Sequence, residues 1–331
     1  MPNHDIVVIG GSAGSFETLT HICRKLSPDI PAAIFVVVHI SPTSRSVLPE
    51  LLSRAGRLSA VHPSDGDPIV AGKIYVAPPD LHLLIEEGRV CLRRGPYENR
   101  TRPAIDPLFR SAAVAYRSRV IGLVLSGLLD DGSAGLVAVK LCGGISVVQS
   151  PEDALWSEMP RNAIFKDHVD YQMPAAQLPA LLQKLTREPA GPLAPIPPTI
   201  ILEARIAGQE EPVATEPIQI GQPTSLTCPQ CGGVLNEVME EGSTRFRCQI
   251  GHGFTAEGLL AAQHDDLEHA MESAMRIHRE REVLFRRMQH RSEDQALQHA
   301  AARWKSSADE SEMAANLIQR ALEKLRKPPT T

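Results

Sequence analysis

The stretch DIVVIGGSAGSFETL, residues 5–19, decides the reading of the fold. Four apolar residues, 6–9, run into a turn of glycines and serines, and a helical pattern follows over residues 16–26. A short β-branched run bounded by glycine and followed by a 3.6-residue period reads as strand, turn and helix. Within the turn, Gly10, Ser12 and Gly14 match G-x-S-x-G in the strand-to-helix context that a nucleophile elbow requires. Small neighbours let the backbone fold sharply and expose the serine oxygen. The helix N-terminus beneath it offers unpaired N–H groups and a partial positive charge to a developing oxyanion. Two other readings stay open on the residues alone. A glycine-rich turn can also cradle phosphate, although the dinucleotide fingerprint needs glycine where Ser12 stands and the Lys-Ser/Thr ending of a P-loop is missing. The turn can also be purely structural.

Further along, residues 34–38, 74–77, 120–125 and 145–148 are similar Val/Ile-rich runs, with helical patterns between them such as 136–141. Strands alternating with helices predict an α/β fold with a mostly parallel, doubly wound sheet in three layers. The carboxyl ends of such strands share one crevice. IFVVVHISP (34–42) places His39 directly after one strand, and VIGLVLSGLLDDGSAG (120–135) places Asp130 and Asp131 after another. A serine, a histidine and an acid from three strand ends form the set that acyl transfer needs: nucleophile, base and orienting acid. His62 and His82 also follow apolar runs and are rival bases. Either aspartate could instead cap the helix that follows.

Composition limits the alternatives. The chain has 331 residues, of which 43% are hydrophobic and 22% charged, ordinary for a globular protein with a sizeable core. A net charge of -5 argues against nucleic acid as a partner. The N-terminus lacks a basic n-region, and no apolar run approaches the roughly 20 residues of a membrane span. A cytoplasmic location without membrane insertion is therefore expected. Of six cysteines, Cys23, Cys91 and Cys142 are scattered and read as buried thiols, whereas Cys228, Cys231 and Cys248 cluster.

Residues 1–187 resemble the catalytic domain of the chemotaxis protein-glutamate methylesterases, the CheB family. The resemblance is carried by VIGGSAGSFETL (8–19), VVVHISP (36–42), GKIYVAPPDLHL (72–83), NRTRPAIDPLF (99–109), LSGLLDDGSAGL (125–136) and EMPRNAI (158–164). It implies hydrolysis of glutamate γ-methyl esters on methyl-accepting chemoreceptors, with glutamine deamidation in many members. It implies Ser12, His39 and Asp131 as the triad, without a catalytic cofactor. It places oxyanion donors on the backbone N–H groups of Ala13 and Leu128. Ala13 departs from the hydroxyl residue found after the nucleophile in the family. The family's phosphorylatable receiver domain has no counterpart here ahead of the first strand, so regulation in cis by phosphorylation is not expected.

The rest of the chain changes character. Residues 188–223, with EPAGPLAPIPPTI and EEPVATEPIQIGQP, read as a proline-rich, partly extended linker. In 224–255, Cys228, Cys231, Cys248 and His252 follow C-x2-C, sixteen residues, then C-x3-H. In a cytosolic chain that spacing reads as a structural Zn2+ site of Cys3His type before it reads as disulfides. The intervening residues suggest two strands around a Glu-Glu-Gly turn, as in a zinc ribbon; His264 is a rival fourth ligand within a helical pattern. Residues 256–328 carry a heptad-like stripe through Ala301, Trp304, Ala308, Ser311, Ala315, Ile318, Leu322 and Leu325. HRSEDQ (290–295) is a break between two antiparallel helices, which form a hairpin or pair in a homodimer. The leading expectation is a serine methylesterase acting on chemoreceptors or similar helical signalling proteins. The alternative is a non-catalytic signalling adaptor that keeps the fold and binds through the zinc segment and helices.

Overall fold

The structure, a computed structural model, describes residues 2–43, 45–166, 168–208, 220–240 and 243–326. Strands β1 (Ile6–Gly11), β2 (Ala33–Val38), β3 (Ser59–Val61) and β4 (Lys73–Val76) alternate with helices α1 (Ser15–Lys25) and α2 (Leu48–Ala55). A hairpin, β5 (His82–Glu86) and β6 (Arg89–Arg93), leads into α3 (Ile105–Tyr116). Then come β7 (Val120–Val124), α4 (Ser133–Leu141), β8 (Ile145–Gln149), α5 (Glu158–Lys166), β9 (Tyr171–Met173), α6 (Leu178–Leu185) and α7 (Pro198–Ala207).

The main sheet has the order β3-β4-β2-β1-β7-β8-β9, and every pairing in it is parallel. The chain winds outward from β1 through β2 and β4, then returns to the other side of β1 at β7. The switch point of this doubly wound sheet therefore lies between β1 and β7, where a crevice opens beyond the carboxyl ends. Alternation along each strand splits the core in two. Ile6, Val8, Phe35 and Val37 face α3, α4 and α5, while Val7, Ile9, Ile34 and Val36 face α1, α2 and α6. Being apolar on both faces is what a parallel strand between two helical layers requires. The five strands expected from the sequence are all present. The short edge strands β3 and β9 and the β5–β6 hairpin were not foreseen, because three to five residues carry too little period to separate strand from loop.

The second half contains β10 (Gln222–Thr227), β11 (Val234–Glu240), β12 (Ser243–Cys248) and β13 (Gly253–Thr255), an antiparallel sheet in that order. The two strands expected around the Glu-Glu-Gly turn are β11 and β12, and the turn's Glu241 and Gly242 lie outside the described residues. Helices α8 (Ala256–Asp294) and α9 (Gln298–Leu325) close the chain. Their break, at residues 295–297, meets the expected 290–295 only at Gln295, because α8 runs on through Asp294.

The proline-rich stretch differs from a plain linker. Its first part carries α7, whose buried Ile200 joins the core beside α3, because Pro198 tolerates the first helical turn and Ile200, Glu203 and Ile206 share one face. Residues 209–219 lie outside the described residues. By packing, the chain forms two compact units, Met1–Leu259 and Leu260–Thr331. The four-stranded sheet belongs to the first. It is joined there by a buried network: Arg247 reaches Glu98 at 3.0 Å and Glu203 at 3.3 Å, Arg245 also pairs with Glu203, and Arg110 with Glu98. Losing one partner of such a buried pair costs about 3–5 kcal/mol. In the second unit, Arg286 pairs with Asp309 and Glu312, and Phe285 stacks on Trp304 with ring centroids 5.8 Å apart, as expected for an antiparallel hairpin. No helix among the described residues is long and apolar enough to cross a membrane.

Candidate active site and metal centre

Ser12 follows β1, His39 follows β2, and Asp131 lies between β7 and α4, so all three meet at the carboxyl edge beside the switch point. The serine turn is fixed through its backbone. Ser12 N donates to Ser126 O at 2.9 Å, and Ser12 O accepts from Ser15 N at 3.1 Å and Ser15 Oγ at 2.7 Å. Gly14 takes φ 73°, the left-handed conformation that lets the chain turn straight into α1. Among the described residues, Ser12 Oγ makes no hydrogen bond.

The acid is held differently. Asp131 Oδ2 is 2.7 Å from His39 Nε2 and accepts from Ile105 N at 2.7 Å. Its Oδ1 accepts from Asn99 Nδ2 at 3.0 Å, Gly132 N at 3.0 Å and Asp106 N at 3.2 Å. Burial opposes its ionisation, but the His39 hydrogen bond and charge, with the Ile105 and Asn99 donors, hold its carboxyl below the ordinary value. An ionised carboxylate only accepts, so Nε2 of His39 is the donor in this bond, and in the neutral form of the ring Nδ1 is the acceptor.

The rivals are occupied elsewhere. His62 Nδ1 contacts Val76 O at 2.9 Å. His82 is buried, with Nε2 2.9 Å from Pro96 O, and burial lowers its pKa. Asp130 pairs with Lys166 and accepts from Thr255 Oγ1 at 2.7 Å, so it fastens α5 and β13 and does not touch the imidazole. Cys23, Cys91 and Cys142 are buried thiols, pushed by burial up to about 12, 11 and 11.

The loop after β7 forms the other wall. A Cβ on Gly127 would strike Met159 Sδ and come within 2.9 Å of Ser12 Cβ, so only glycine permits this approach. Gly127 N is bonded to Trp156 O at 3.0 Å and Leu129 N to Glu158 Oε2 at 3.0 Å. Among the described residues, the N–H groups of Ala13 and Leu128 carry no hydrogen bond. These are the two positions expected to serve an oxyanion.

Sequence reasoning missed four supports. Asn99, at φ 47°, bridges Asp131 and Asp106 through one amide. Asp106 accepts from Gly132 N at 3.0 Å and Gly135 N at 2.6 Å; burial and then the Asp131 charge push its carboxyl up to about 7. Ser126 Oγ donates to Ala13 O at 2.8 Å and accepts from Trp156 N at 2.9 Å. Gln149 Oε1 accepts from Ser126 N at 3.1 Å. Asn99 and Asp106 lie inside NRTRPAIDPLF, and an asparagine seven residues before a buried aspartate was the available signal.

A serine, a histidine and a buried aspartate at the switch point of a doubly wound parallel sheet are the architecture of a serine hydrolase. The sequence profile of the family described as CheB methylesterase matches residues 7–182. The chain belongs to the CheB methylesterase family. Among similar proteins, protein-glutamate methylesterase/protein-glutamine glutaminase 2 of Anaeromyxobacter dehalogenans is 37% identical over 183 residues, covering 55% of this chain and 54% of that protein. The chain thus spans about half the length of that relative. A Leptospira interrogans protein is 34% identical over 184 residues, 55% of this chain and 95% of its own length. The crystal structure of the Thermotoga maritima CheB methylesterase catalytic domain matches with a TM-score of 0.53 at 34% identity, over 55% of this chain and 98% of that one.

The Cys/His cluster forms a second site. The ligand atoms of Cys228, Cys231, Cys248 and His252 lie within 4.8 Å of one another, and His264 is not among them. Cys231 Sγ is 3.7 Å from Cys248 Sγ, and His252 Nδ1 is 3.6 Å from both Cys228 Sγ and Cys248 Sγ. A tetrahedral zinc with Zn–S of ~2.3 Å and Zn–N of ~2.05 Å spaces its ligands by about 3.8 Å (S to S) and about 3.6 Å (S to N). The donor set and its spacing fit zinc.

Proposed function

We propose that this chain is a serine esterase that removes the γ-methyl ester of glutamate side chains on methyl-accepting chemotaxis receptors, with deamidation of glutamine as a related activity. The observation that carries this reading is the His39–Asp131 pair, 2.7 Å apart and buried on the acid side, at the strand edge that also bears Ser12. Relatives named protein-glutamate methylesterase/protein-glutamine glutaminase supply the class of bond, a glutamate methyl ester or glutamine amide in a protein.

The chemistry uses the other imidazole nitrogen, Nδ1, which makes no hydrogen bond among the described residues. Ser12 Oγ attacks the ester carbonyl carbon while Nδ1 of His39 takes the hydroxyl proton. Asp131 keeps Nε2 protonated and stabilises the imidazolium. The N–H groups of Ala13 and Leu128 receive the oxyanion, each worth about 3 kcal/mol in the transition state. The imidazolium then protonates the methoxide, methanol leaves, and an acyl-enzyme remains. Water, deprotonated by the same imidazole, cleaves it to glutamate and regenerates Ser12. Glutamine deamidation follows the same path with ammonia leaving.

The test is methanol release from carboxyl-methylated receptor fragments. Ser12→Ala should reduce it by at least about 10³-fold with the fold unchanged. Equal release by both proteins would remove the reading.

The Cys3His cluster is assigned a structural zinc, since four protein ligands leave no open position for chemistry. One equivalent of zinc by elemental analysis is expected. The cytoplasm is the assigned location, where such thiols stay reduced. A homodimer through the helical hairpin is assigned to its exposed Leu267, Ile277, Val283, Leu284, Met313 and Leu317. A monomer in sedimentation at high concentration would exclude it.

A further inference from the structure

The metal cluster and the catalytic acid are linked by a short run of hydrogen bonds within one compact unit. His252, a ligand, is followed directly by Gly253 in β13. Gly253 N donates to Tyr97 O at 3.1 Å, and Gly253 O accepts from Asn99 N at 2.9 Å. Two residues on, Thr255 N donates to Asn99 Oδ1 at 3.1 Å. Asn99 is thereby gripped at its backbone and its side-chain oxygen by β13, and its Nδ2 is left pointing at Asp131 and Asp106. The orientation of a carboxamide depends on both of its ends. With Oδ1 fixed by Thr255, Nδ2 can only face the acids.

The same strand holds the acid's chain neighbour. Thr255 Oγ1 donates to Asp130 Oδ1 at 2.7 Å and accepts from Gly258 N at 3.0 Å. On the opposite edge of the ribbon sheet's last pairing, Arg247, the residue before the ligand Cys248, is buried against Glu98, the residue before Asn99. Its other branch donates to Gly251 O at 2.7 Å, in the turn that carries His252. Three ribbon residues therefore contact the loop and strand end that position Asp131, and each lies within three positions of a metal ligand.

We propose that the metal-bearing ribbon is a working part of the catalytic centre: Asn99 is a positioning residue for Asp131, and metal occupancy of Cys228, Cys231, Cys248 and His252 sets whether Asn99 is held. A ribbon of about 30 residues has little core of its own, so bound metal supplies much of its order. Without it, β13 loses the turn that fixes its start, Asn99 loses both of its anchors, and Asp131 loses one of its five donors together with the restraint through Asp130. His39 is then no longer held in one orientation. Loss of zinc lowers esterase activity without touching Ser12, His39 or Asp131. The consequence for catalysis rests on the esterase reading; the mechanical link between ribbon and acid does not.

The test uses the full chain with one equivalent of zinc, then stripped by a chelator, then reloaded. Two quantities are followed: the low-field proton resonance of His39 Nε2–H in its bond to Asp131, and the rate at which a fluorophosphonate modifies Ser12. Expected on stripping are loss of the resonance and a fall in modification rate of about 10²-fold, both restored by zinc alone. Asn99→Ala, with its zinc retained, should lose the resonance and the rate together. Thr255→Val, which removes the bond to Asp130 and keeps every metal ligand, should lower the rate about tenfold. Where circular dichroism shows that the stripped chain has unfolded, these two variants decide the matter. An unchanged resonance and rate in the stripped, folded chain, or in zinc-loaded Asn99→Ala, overturns the proposal. A resonance that follows zinc in a chain whose Ser12 is never modified supports the link and defeats the esterase reading instead.

Discussion

The two ends of the candidate proton relay are built in opposite ways. Asp131 is buried and receives five hydrogen bonds, from one imidazole, one carboxamide and three backbone N–H groups. Ser12 has its backbone pinned on both sides, and among the described residues its hydroxyl makes no hydrogen bond. The acid's task is to stay ionised and immobile while the imidazole gains and loses a proton, so every donor that faces the carboxylate helps. The serine oxygen has to approach a carbonyl carbon and later release an acyl group. A strong hydrogen bond to Oγ in the resting site would have to be broken first. The fold therefore directs its polar contacts to the reacting carboxylate on the acid side, and to the backbone around Ser12, not its oxygen, on the nucleophile side.

The largest effect is expected where the acid is converted without change of shape. Asp131→Asn leaves an amide whose NH2 faces His39. That forces Nε2 to accept and puts the ring proton on Nδ1, the atom that has to take the serine proton. Turnover should fall by about 10⁴ with little change in KM, read in the methanol assay. A loss below tenfold would mean that the acid side does not matter as its five donors imply. Next in size is Gly127→Ala on the nucleophile side. The new methyl meets Met159 Sδ and Ser12 Cβ, and displacing the serine wall by a fraction of an ångström should cost about 10²-fold. Pairing it with Met159→Ala relieves the sulfur contact and leaves the serine contact, so rescue should be partial. Full rescue would place the damage in the core and not at Ser12.

Ser126→Ala sharpens the same comparison at smaller size. Its hydroxyl joins Ala13 O to Trp156 N, so removing it leaves a partly buried N–H without that partner and loosens the turn without altering any reacting group. A stability loss of about 1–3 kcal/mol is expected from denaturant titration. Turnover should fall about tenfold, because the Ala13 N–H loses its fixed direction. A stability loss with turnover unchanged would show that the turn tolerates movement at Ala13.

The sequence made the nucleophile side legible because its determinants are local: a Val/Ile run, three glycines and a serine within nine residues. His39 and Asp131 were legible for the same reason, as polar residues at the ends of apolar runs. The acid's supports were not. Asn99 and Asp106 sit in a loop and a helix start 32 and 25 positions from Asp131, and only the return of the chain through β7 beside β1 brings them under it. Thr255 is farther still, 124 positions from Asp131, inside a segment whose metal pattern drew attention to its cysteines. Two of the ribbon's four strands, β11 and β12, followed from its turn and spacing; β10 and β13 did not, and its place in the first compact unit is set by Arg247 and Glu98, two buried charges that pattern alone assigns to the surface. The helix within the proline-rich stretch was hidden by composition, since Pro197 and Pro198 mark its start and not its absence.

The smallest effect on rate, and the most direct view of the acid side, is expected from Asp106. Its carboxyl, pushed up to about 7 by burial and by Asp131, titrates near 3.8 when solvated. Between those values the folded state holds a proton that the unfolded state has released. Stability contributed by this group is therefore present at low pH and falls as pH rises from about 4 to about 7, by at most about 1.4 kcal/mol per pH unit. Asp131 has the opposite sign: its lowered pKa gives stability that is complete above the ordinary carboxylate range and is lost only as pH falls below it. Asp106→Asn keeps an oxygen for Gly132 N and Gly135 N and removes the ionisable group. The decline between pH 4 and 7 should flatten in denaturant titrations while the acid-side loss stays. A slope that is unchanged in Asp106→Asn would mean that the two carboxylates do not oppose each other, and that the pair shares its cost of burial with the Asn99 amide alone.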